Sequence, residues 1–478
     1  MRNPVLASVL ASVLTLAGIH AEAASLSGKV GDSCHLPGVE EGLRCTRITV
    51  PLDYSKADGD KLELHVTVAP SIKENARPDP LFVLAGGPGQ AGSDIVVTLD
   101  SAFRKVRQNR DIIFIDQRGT GRSGKLLCPQ ADQINELPST QQEAAIKQCL
   151  REIPGDKNAY STNNAARDIE SVRVALAYPQ INVWGGSYGT RLAQAYARLF
   201  PQQTRALILD SVASPQQLVG EWGLDAQASL DGVFAHCAAD AACTQAFPQL
   251  KAQWQQLLNS LRGDKFRVRL THPRTGKVFE DILPFGPFVE TIRGMLYDPR
   301  AQARLPLVIA RAADGDWAAF TQTAYTGSDF STQGMAFGLT FSVLCGEDLY
   351  RVDEQLLARD AQSFLQSTTL KQWTEFCPLL KISRREPLAT DTIAAPTLLL
   401  SGALDPVTPP TRAEQAKQFM TQAQHHVAPN VGHIVSTAGC APTLLKQFVD
   451  EPTQALDANC LNDIPLPSFV LSNAGAAP

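Results

Sequence analysis

The chain has 478 residues, of which 44% are hydrophobic and 19% are charged. These proportions are those of an ordinary soluble globular protein, and the length allows two or three folding units or one domain with a large insertion. The net charge of −5 is spread along the chain without a basic stripe, so nucleic acid is not expected as a partner.

The N-terminus has the pattern of a secretory signal peptide over residues 1–23. Arg2 precedes an apolar run at residues 4–19, and residues 21–23 form an A-x-A cleavage site. The run is shorter than the roughly 18 residues that a membrane-spanning helix needs. The sequence therefore predicts an exported protein, periplasmic or secreted, without stable membrane insertion; the alternative is an uncleaved membrane anchor.

Ten cysteines are consistent with export. The cysteines occur in pairs that are close together in the sequence. We expect five disulfides between these neighbours, although sequence alone does not establish connectivity. The expected pairs are Cys34–Cys45, Cys128–Cys149, Cys237–Cys243, Cys345–Cys377 and Cys440–Cys460. A zinc site is the alternative, but no C-x-x-C pair occurs and no histidine lies at ligand spacing from two cysteines. Neither a metal nor another cofactor is expected.

Apolar and alternating runs predict the strands. Residues 62–69 (LELHVTVA) alternate in character, which is typical of an antiparallel strand. Continuous apolar runs predict buried parallel strands. They are residues 81–85, 112–115, 181–184, 206–209 and 397–400. Helical stretches such as residues 165–177 lie between these runs, so the sequence predicts an α/β fold with a mostly parallel sheet covered by helices on both faces.

The pattern changes between about residues 215 and 392, which are mostly helical in character and contain few β-branched runs. This stretch begins just after one predicted sheet strand and ends just before the next. We therefore expect a large, mainly helical cap domain (215–392) inserted into a catalytic domain made of residues 24–214 and 393–478. The final residues, from 472 onward, are expected to form a disordered tail.

Residues 185–189 read G-G-S-Y-G, the pattern of a nucleophile elbow with Ser187 at its tip. An apolar stretch precedes the motif and a helical stretch follows it, as a strand-to-helix turn requires. Gly185 and Gly189 keep Cβ atoms out of the close backbone crossings of such a turn. The same pattern also occurs by chance in Gly-rich loops, but its context here favours a nucleophilic serine.

A serine attacks only when a base takes its proton and a third group orients that base. On folds with this elbow, the order along the chain is serine, acid, histidine. His433 lies in a loop-like segment, whereas His425 and His426 lie in a segment typical of a strand. Asp405 is the only carboxylate in the loop that follows residues 397–401. We expect His433 as the base and Asp405 as the acid; the alternatives are a surface histidine and an aspartate that caps a turn.

An oxyanion hole needs two N–H donors. The amide of Tyr188, next to the nucleophile, is one candidate. The second should come from the loop after an early strand, where residues 86–89 read Gly-Gly-Pro-Gly. Pro88 cannot donate, which leaves Gly87 as the second donor. A plain tight turn is the alternative, and a phosphate-binding loop is excluded because G-K-[ST] is missing.

Several motifs occur together in the order of one known family. They are VPLDY at 50–54, GGPGQAG at 86–92, DQRGTGRS at 116–123, GGSYGT at 185–190, SGALDPVTP at 401–409 and NVGHI at 430–434. Over nearly its whole mature length, the chain resembles the tripeptidyl aminopeptidase-like branch of the prolyl aminopeptidase family of α/β-hydrolases. The resemblance implies an α/β-hydrolase fold and a serine exopeptidase that removes a residue or a short peptide from a free N-terminus. It assigns Ser187, Asp405 and His433 to the triad and Gly87 and Tyr188 to the oxyanion hole.

Exopeptidases of this kind must recognise a cationic α-amino group. Glu347 and Asp348, beside the expected Cys345–Cys377 disulfide, are candidates to hold it by a charge-assisted hydrogen bond. The alternative is that both are solvated helix charges. Arg118, in the DQRGTGRS loop, is expected to brace that loop rather than contact substrate. Ala85 stands where simpler prolyl aminopeptidases carry a histidine, so a strict preference for N-terminal proline is not expected.

The same catalytic groups serve amide and ester substrates, so the motifs do not separate an exported aminopeptidase from a carboxylesterase or lipase. An anionic pocket that needs a free amine would favour the peptidase, whose partner is a peptide with a free N-terminus. A non-enzymatic binding protein on the same fold is a third alternative. Haloalkane or epoxide chemistry is excluded, because it normally uses an aspartate at the position of Ser187.

Overall fold

The computed structural model describes residues 31–476, except residues 57, 129, 138, 264, 273–274 and 329–333. The predicted signal peptide at residues 1–23 lies outside this part of the chain. The strands are β1 (Asp32–Cys34), β2 (Leu43–Pro51), β3 (Lys61–Ala69), β4 (Leu81–Leu84), β5 (Ile112–Ile115), β6 (Ile181–Gly186), β7 (Thr204–Asp210), β8 (Arg267–Thr271), β9 (Val278–Ile282), β10 (Thr397–Gly402), β11 (Ala423–Ala428), β12 (Val470–Ser472) and β13 (Gly475–Ala476). The α-helices are α1 (Gly92–Ile95), α2 (Arg104–Arg107), α3 (Ser139–Glu152), α4 (Thr162–Ala175), α5 (Tyr188–Leu199), α6 (Gly223–Ala239), α7 (Ala241–Ala246), α8 (Leu250–Leu261), α9 (Phe285–Met295), α10 (Pro299–Gln302), α11 (Leu305–Ala313), α12 (Ala318–Ser328), α13 (Phe337–Glu347), α14 (Glu354–Asp360), α15 (Thr368–Leu380), α16 (Pro410–Lys417) and α17 (Ala441–Asp450).

One large sheet organises the described residues, with the strand order β1-β2-β3-β5-β4-β6-β7-β10-β11. The six strands β5-β4-β6-β7-β10-β11 are parallel to one another, and β5 is antiparallel to β3 on its other side. Strands β1, β2 and β3 pair in antiparallel fashion. The six strands predicted from apolar and alternating runs are confirmed. The sequence missed β2 because only Leu43 and Val50 of its nine residues are buried.

The parallel register places the carboxyl ends of four strands at one edge of the sheet. Leu84 of β4 pairs with Gly185 of β6, Gly185 with Leu209 of β7, and Leu209 with Leu399 of β10. The loops that leave these strands therefore start side by side. Ligands of open α/β sheets bind at this edge.

Helices cover both faces of the sheet, because successive side chains of a strand point to opposite faces. Val183 of β6 packs in one apolar cluster with Leu192 and Tyr196 of α5. Its neighbour Trp184 packs in a second cluster with Phe448 of α17. Burial of each such large apolar side chain contributes roughly 1.5–3 kcal/mol. The predicted α/β fold is confirmed.

Between β7 and β10, the described residues form ten α-helices (α6–α15), a short 3-10 helix (Leu349–Arg351) and the antiparallel hairpin β8–β9. The apolar core of this segment contains a run of stacked aromatic rings. Trp254 stacks on Phe288 at a centroid distance of 5.9 Å, and Phe288 stacks on Phe320 at 5.3 Å. The expected mainly helical insertion before β10 is confirmed, with a hairpin that the sequence did not predict.

Helix α3 packs with the inserted helices although it precedes the insertion in the chain. Leu150 of α3 and the preceding Leu126 are buried in the same cluster as Trp254. The sequence analysis assigned these residues to the catalytic domain, because a run of residues along the chain does not reveal which core a helix joins. The boundaries at 214 and 393 stay predictions, and the core of the cap extends to residues outside 215–392.

All five expected disulfides are confirmed, and the ten cysteines, all within the described residues, are paired. No helix among the described residues has both the length and the apolar character needed to cross a membrane. The disordered tail expected from residue 472 onward is wrong in part, because Ser472 of β12 pairs with Gly475 of β13.

Candidate active site

Ser187 occupies a strained turn between β6 and α5. Its φ of 56° and ψ of −126° lie where residues other than glycine rarely fall. A Cβ atom built on Gly185 would lie 2.3 Å from the Gly189 carbonyl oxygen, and one built on Gly189 would lie 2.2 Å from the Leu84 carbonyl oxygen. Both positions therefore require glycine, as the elbow motif predicts.

His433 and Asp405 form a hydrogen-bonded pair at the same edge of the sheet. Nδ1 of His433 lies 2.7 Å from Oδ2 of Asp405. Asp405 belongs to the loop after β10, and His433 belongs to the loop after β11. A proton on Nδ1 that is donated to the carboxylate leaves Nε2 free to accept one, which is the tautomer that a general base needs.

The carboxylate of Asp405 is buried and accepts further hydrogen bonds from its own loop. The amides of Val407 and Thr408 donate to Oδ1, both at 2.9 Å, and the Thr408 hydroxyl donates to Oδ2 at 2.8 Å. Burial by itself raises the pKa of Asp405, but the positive charge and hydrogen bond of His433 and the two amides outweigh burial and hold this pKa below its usual value. The sequence analysis missed Thr408, for which the Asp-x-x-Thr spacing was the available signal.

A segment of the cap holds the backbone of His433. The His433 amide donates to the Tyr297 carbonyl group at 2.8 Å, and the two rings meet edge to face with centroids 4.9 Å apart. A Cβ atom built on Gly432 would lie 2.3 Å from the Tyr297 carbonyl oxygen, so glycine permits this close approach. No sequence signal pointed to Tyr297, because the contact joins segments that are distant in the chain.

Asp210, the last residue of β7, connects the elbow to the histidine loop. Its main-chain carbonyl group accepts from the Ser187 amide at 2.9 Å. Its carboxylate accepts from the amides of Val435 and Ser436, both at 2.8 Å, and from the Ser436 hydroxyl. Burial raises the pKa of Asp210 above its usual value, although these hydrogen bonds oppose the rise. The sequence analysis missed Asp210; a carboxylate at the carboxyl end of a central strand was the signal.

The elbow and the histidine loop are in direct contact. A Cβ atom built on Gly186 would lie 3.1 Å from Cδ1 of Ile434, and the Ile434 amide donates to the Ser211 hydroxyl at 2.8 Å. The structure thus brings the three loops that carry the predicted triad to one edge of the sheet. The catalytic roles of the three residues stay predictions.

Both predicted oxyanion donors belong to backbone next to Ser187. Tyr188 is the first residue of α5, where helix amides have no partner within the helix. A Cβ atom built on Gly86 would lie 2.9 Å from Cβ of Ser187, so the Gly-Gly-Pro-Gly loop packs against the serine. Gly87 has a φ of 109°, which glycine adopts without strain. The donor roles of Gly87 and Tyr188 stay predictions.

Glu347 and Asp348, the candidates for amine recognition, are buried at the end of α13. Glu347 accepts from the Thr162 amide at 2.8 Å and from the Thr162 hydroxyl at 2.6 Å. Asp348 accepts from Arg191 and from Arg351, both at 2.6 Å. Neither residue is a solvated helix charge. Protein donors occupy both carboxylates, and a role in amine binding stays a prediction.

Arg118 is fully buried and braces its loop, as expected. It donates to both carboxylate oxygens of Asp168, at 2.7 and 2.6 Å, and to the carbonyl groups of Pro51, Leu52 and Ala159. These contacts join the DQRGTGRS loop to β2 and α4.

A second serine–histidine–carboxylate cluster lies on β10, β11 and α16. His425 Nε2 lies 2.9 Å from the Ser401 hydroxyl, and its Nδ1 lies 2.6 Å from Glu414. Ser401 is completely buried, so no substrate reaches its hydroxyl, and the cluster is structural. Among the described residues, no three His, Cys, Asp or Glu side chains group as a metal site would require.

Comparison with known proteins assigns the chain to a fold family. The family described as alpha/beta hydrolase fold matches residues 79–437. Serine protease Hip1 of Mycobacterium tuberculosis (strain ATCC 25618 / H37Rv) is 28% identical over 225 residues, which are 43% of this chain and 42% of the relative. Tripeptidyl aminopeptidase of Streptomyces lividans is 29% identical over 194 residues, 37% of this chain and 36% of the relative. Proline iminopeptidase of Xylella fastidiosa (strain 9a5c) is 31% identical over 153 residues, 31% of this chain and 37% of the relative.

The chain thus spans less than half of the length of these relatives. The family match runs from just before β4 to just beyond His433, and so includes the elbow, Asp405 and the parallel part of the sheet. Relatives that are named serine protease, tripeptidyl aminopeptidase and proline iminopeptidase confirm the resemblance that the ordered motifs indicate. The chain belongs to the α/β-hydrolase fold family and is similar there to a branch of serine peptidases.

Proposed function

We propose that the protein is a serine aminopeptidase that releases a residue or a short peptide, such as a tripeptide, from free N-termini. The observation that carries this proposal is the Asp405–His433 pair, joined at 2.7 Å, whose histidine loop packs against the strained elbow of Ser187. The similarity to a tripeptidyl aminopeptidase and a proline iminopeptidase supports the choice of substrate.

The reaction proceeds through an acyl-enzyme. The Ser187 hydroxyl attacks the scissile carbonyl carbon while Nε2 of His433 takes its proton, and Asp405 stabilises the resulting imidazolium. The amides of Gly87 and Tyr188 donate to the oxyanion of the tetrahedral intermediate; removal of one such donor typically costs about 3 kcal/mol of barrier. His433 then protonates the departing amine. In the second half of the reaction, water attacks the ester of Ser187 while His433 takes its proton, and His433 returns that proton to the Ser187 oxygen as the acyl product leaves.

A carboxylesterase with the same triad is the alternative. One observation favours it: both Glu347 and Asp348 are occupied by donors of the protein itself, so neither offers a free carboxylate to a substrate amine. The ester and amide reactions use the same groups, and only the substrate site separates them.

We further propose that the protein is exported. The N-terminal pattern at residues 1–23 supports export, and so do five disulfides, which persist in oxidising compartments and are rare in the cytosol.

The test is the hydrolysis of chromogenic anilides of one, two and three residues, each with a free and with an acetylated N-terminus, beside short chromogenic esters. The purified mature chain is compared with Ser187→Ala, which should keep its fold and melting temperature and lose turnover. An aminopeptidase cleaves the anilides only when the amine is free, and the preferred length gives the depth of the substrate site. Cleavage of esters alone would establish the esterase, and full turnover by Ser187→Ala would refute the nucleophile.

A further inference from the structure

The C-terminal end of cap helix α13 contacts the first turn of α5, the helix that follows Ser187. The first contact is a hydrogen-bond chain that starts at Glu347. The Thr162 hydroxyl donates to Glu347 at 2.6 Å and lies 2.7 Å from the hydroxyl of Tyr188. Because the single hydroxyl proton of Thr162 goes to Glu347, the Tyr188 hydroxyl donates to Thr162. The chain ends on the residue whose amide is the predicted oxyanion donor.

The second contact starts at the adjacent residue, Asp348. Arg191, the fourth residue of α5, donates to Asp348 at 2.6 Å, and each side chain of this pair is 1% exposed. Arg191 also donates to the carbonyl groups of Ser214 and Gln217, which follow β7. The ion pair therefore joins α5 to the cap and to the chain segment that enters it.

The charges around the two carboxylates do not suit a cationic ligand. Arg191 and Arg351 face Asp348, and Arg385 lies 3.9 Å from Glu347. A substrate ammonium group would meet three guanidinium groups at this place, and like charges repel strongly where water is excluded. A role internal to the protein fits this environment better than amine binding does.

The first turn of α5 needs such support. Ser187 has a positive φ, and strained backbone of this kind persists only when its surroundings hold it in place. The Tyr188 amide must also point at the oxyanion to within a few tenths of an ångström. Contacts on Tyr188 and Arg191 hold the turn at two points, three residues apart.

We propose that Glu347 and Asp348 are positioning residues that hold the first turn of α5, and with it Ser187 and the Tyr188 amide, in the geometry needed for acyl transfer. This proposal rests on the proposed serine hydrolase chemistry at Ser187. A positioning role differs from amine binding in one measurable way. Loss of a positioning residue slows the reaction of every acyl substrate, including those without an amine.

The experiment compares Glu347→Gln and Asp348→Asn with the wild-type mature chain. The first readout is the rate of Ser187 phosphorylation by a small dialkyl fluorophosphate, which has no amine. The second is kcat and KM for a short ester and for a free-amine anilide. The matched control is Asp360→Asn, since Asp360 is a buried carboxylate that accepts from the Gly223 amide within the cap.

We expect the rate of phosphorylation, and kcat for both substrates, to fall about ten- to a hundredfold in the two variants, as small misplacements of catalytic groups do, while KM changes little. The control should keep wild-type kinetics even if its melting temperature is lower than that of the wild type. Losses confined to the free-amine anilide would overturn the proposal and assign the carboxylates to the substrate amine. Unchanged rates in folded variants would also overturn it.

A second pair of variants covers the case in which loss of a buried charge unfolds the chain. Thr162→Val removes the hydroxyl that links Glu347 to Tyr188, and Thr162→Ser retains it. The proposal requires slow phosphorylation in Thr162→Val and a nearly wild-type rate in Thr162→Ser; equal rates in the two would overturn it. A wild-type chain that the fluorophosphate does not modify at Ser187 would instead refute the proposed function, and this inference with it.

Discussion

The main-chain carbonyl group of Asp210 accepts a hydrogen bond of 2.9 Å from the amide of Ser187. The carboxylate of the same residue accepts from two amides in the loop that carries His433, both at 2.8 Å. One residue of β7 thus sets the spacing between the elbow and the histidine loop, because its backbone holds the first and its side chain holds the second.

Asp210→Asn should therefore slow turnover without removing any group of the triad. The amide replaces one acceptor oxygen with a donor, which then faces a backbone amide of the histidine loop, that of Val435 or that of Ser436, so this loop must shift. We expect kcat to fall about 10- to 100-fold. The measurement is kcat beside the melting temperature.

The control for this variant is Asp111→Asn. Asp111 is a buried aspartate that accepts from the Ser71 amide and the Tyr178 hydroxyl at the opposite edge of the sheet. It should lose stability and retain kcat. An equal fall of kcat in both variants would show that Asp210 acts through general stability.

Asp405→Asn should leave a folded protein whose kcat falls by about four orders of magnitude, because the amide disfavours the His433 tautomer that accepts the serine proton. A kcat close to that of the wild type would mean that another residue is the acid. Single-turnover kinetics with a chromogenic ester measure this step directly.

The difference in stability between the wild type and Asp405→Asn should depend on pH in a defined direction. Burial raises the pKa of Asp405, but His433 and the loop amides hold the net value below normal. A lowered folded-state pKa stabilises the fold above the usual carboxyl pKa, about 3.9, and this contribution disappears as the pH falls through the lower folded value. The difference in free energy of unfolding between wild type and Asp405→Asn should shrink below about pH 4 in denaturant titrations. A difference that is constant with pH would contradict the assigned ionisation.

Gly189→Ala tests the backbone crossing at the elbow. Its new Cβ atom would lie 2.2 Å from the Leu84 carbonyl oxygen, which belongs to a central strand and cannot move alone. We expect a loss of at least about 3 kcal/mol in the free energy of unfolding. Gly232→Ala, in the interior of α6 with open space around the new atom, is the control and should gain about 0.5–1 kcal/mol. Equal effects would argue against the close crossing.

The disulfides should contribute unequally to stability. Cys345–Cys377 joins residues 32 apart, and Cys237–Cys243 joins residues 6 apart. Loop-closure entropy predicts losses of about 4 and about 2 kcal/mol when the respective pairs are changed to serine. Denaturant unfolding of the two double variants gives the values. Thiol titration of the unfolded wild-type chain should detect no free thiol before reduction, and any free thiol would contradict the pairing.

The sequence alone was sufficient for the features that depend on neighbours in the chain. The G-G-S-Y-G run predicts the turn at Ser187 because only glycine lacks the Cβ atoms that would clash there. Continuous apolar runs predict the central strands because both of their faces are buried. The near-neighbour cysteines were paired correctly because the closed loops are short. The order of serine, aspartate and histidine pointed to Asp405 and His433 because the carboxyl ends of parallel strands meet at one edge.

Contacts between distant segments were decided only by the tertiary structure. Asp210 and Tyr297 support the candidate site through hydrogen bonds to segments that are distant in the chain. The sequence offered Glu347 and Asp348 as candidates to bind a substrate amine or as solvated helix charges, whereas packing buries them against Thr162 and three arginines. A local pattern shows which residues can carry charge and which must be buried. The fold determines which partner each buried charge meets, because only folding brings Arg191 and Asp348 together across 157 residues of chain.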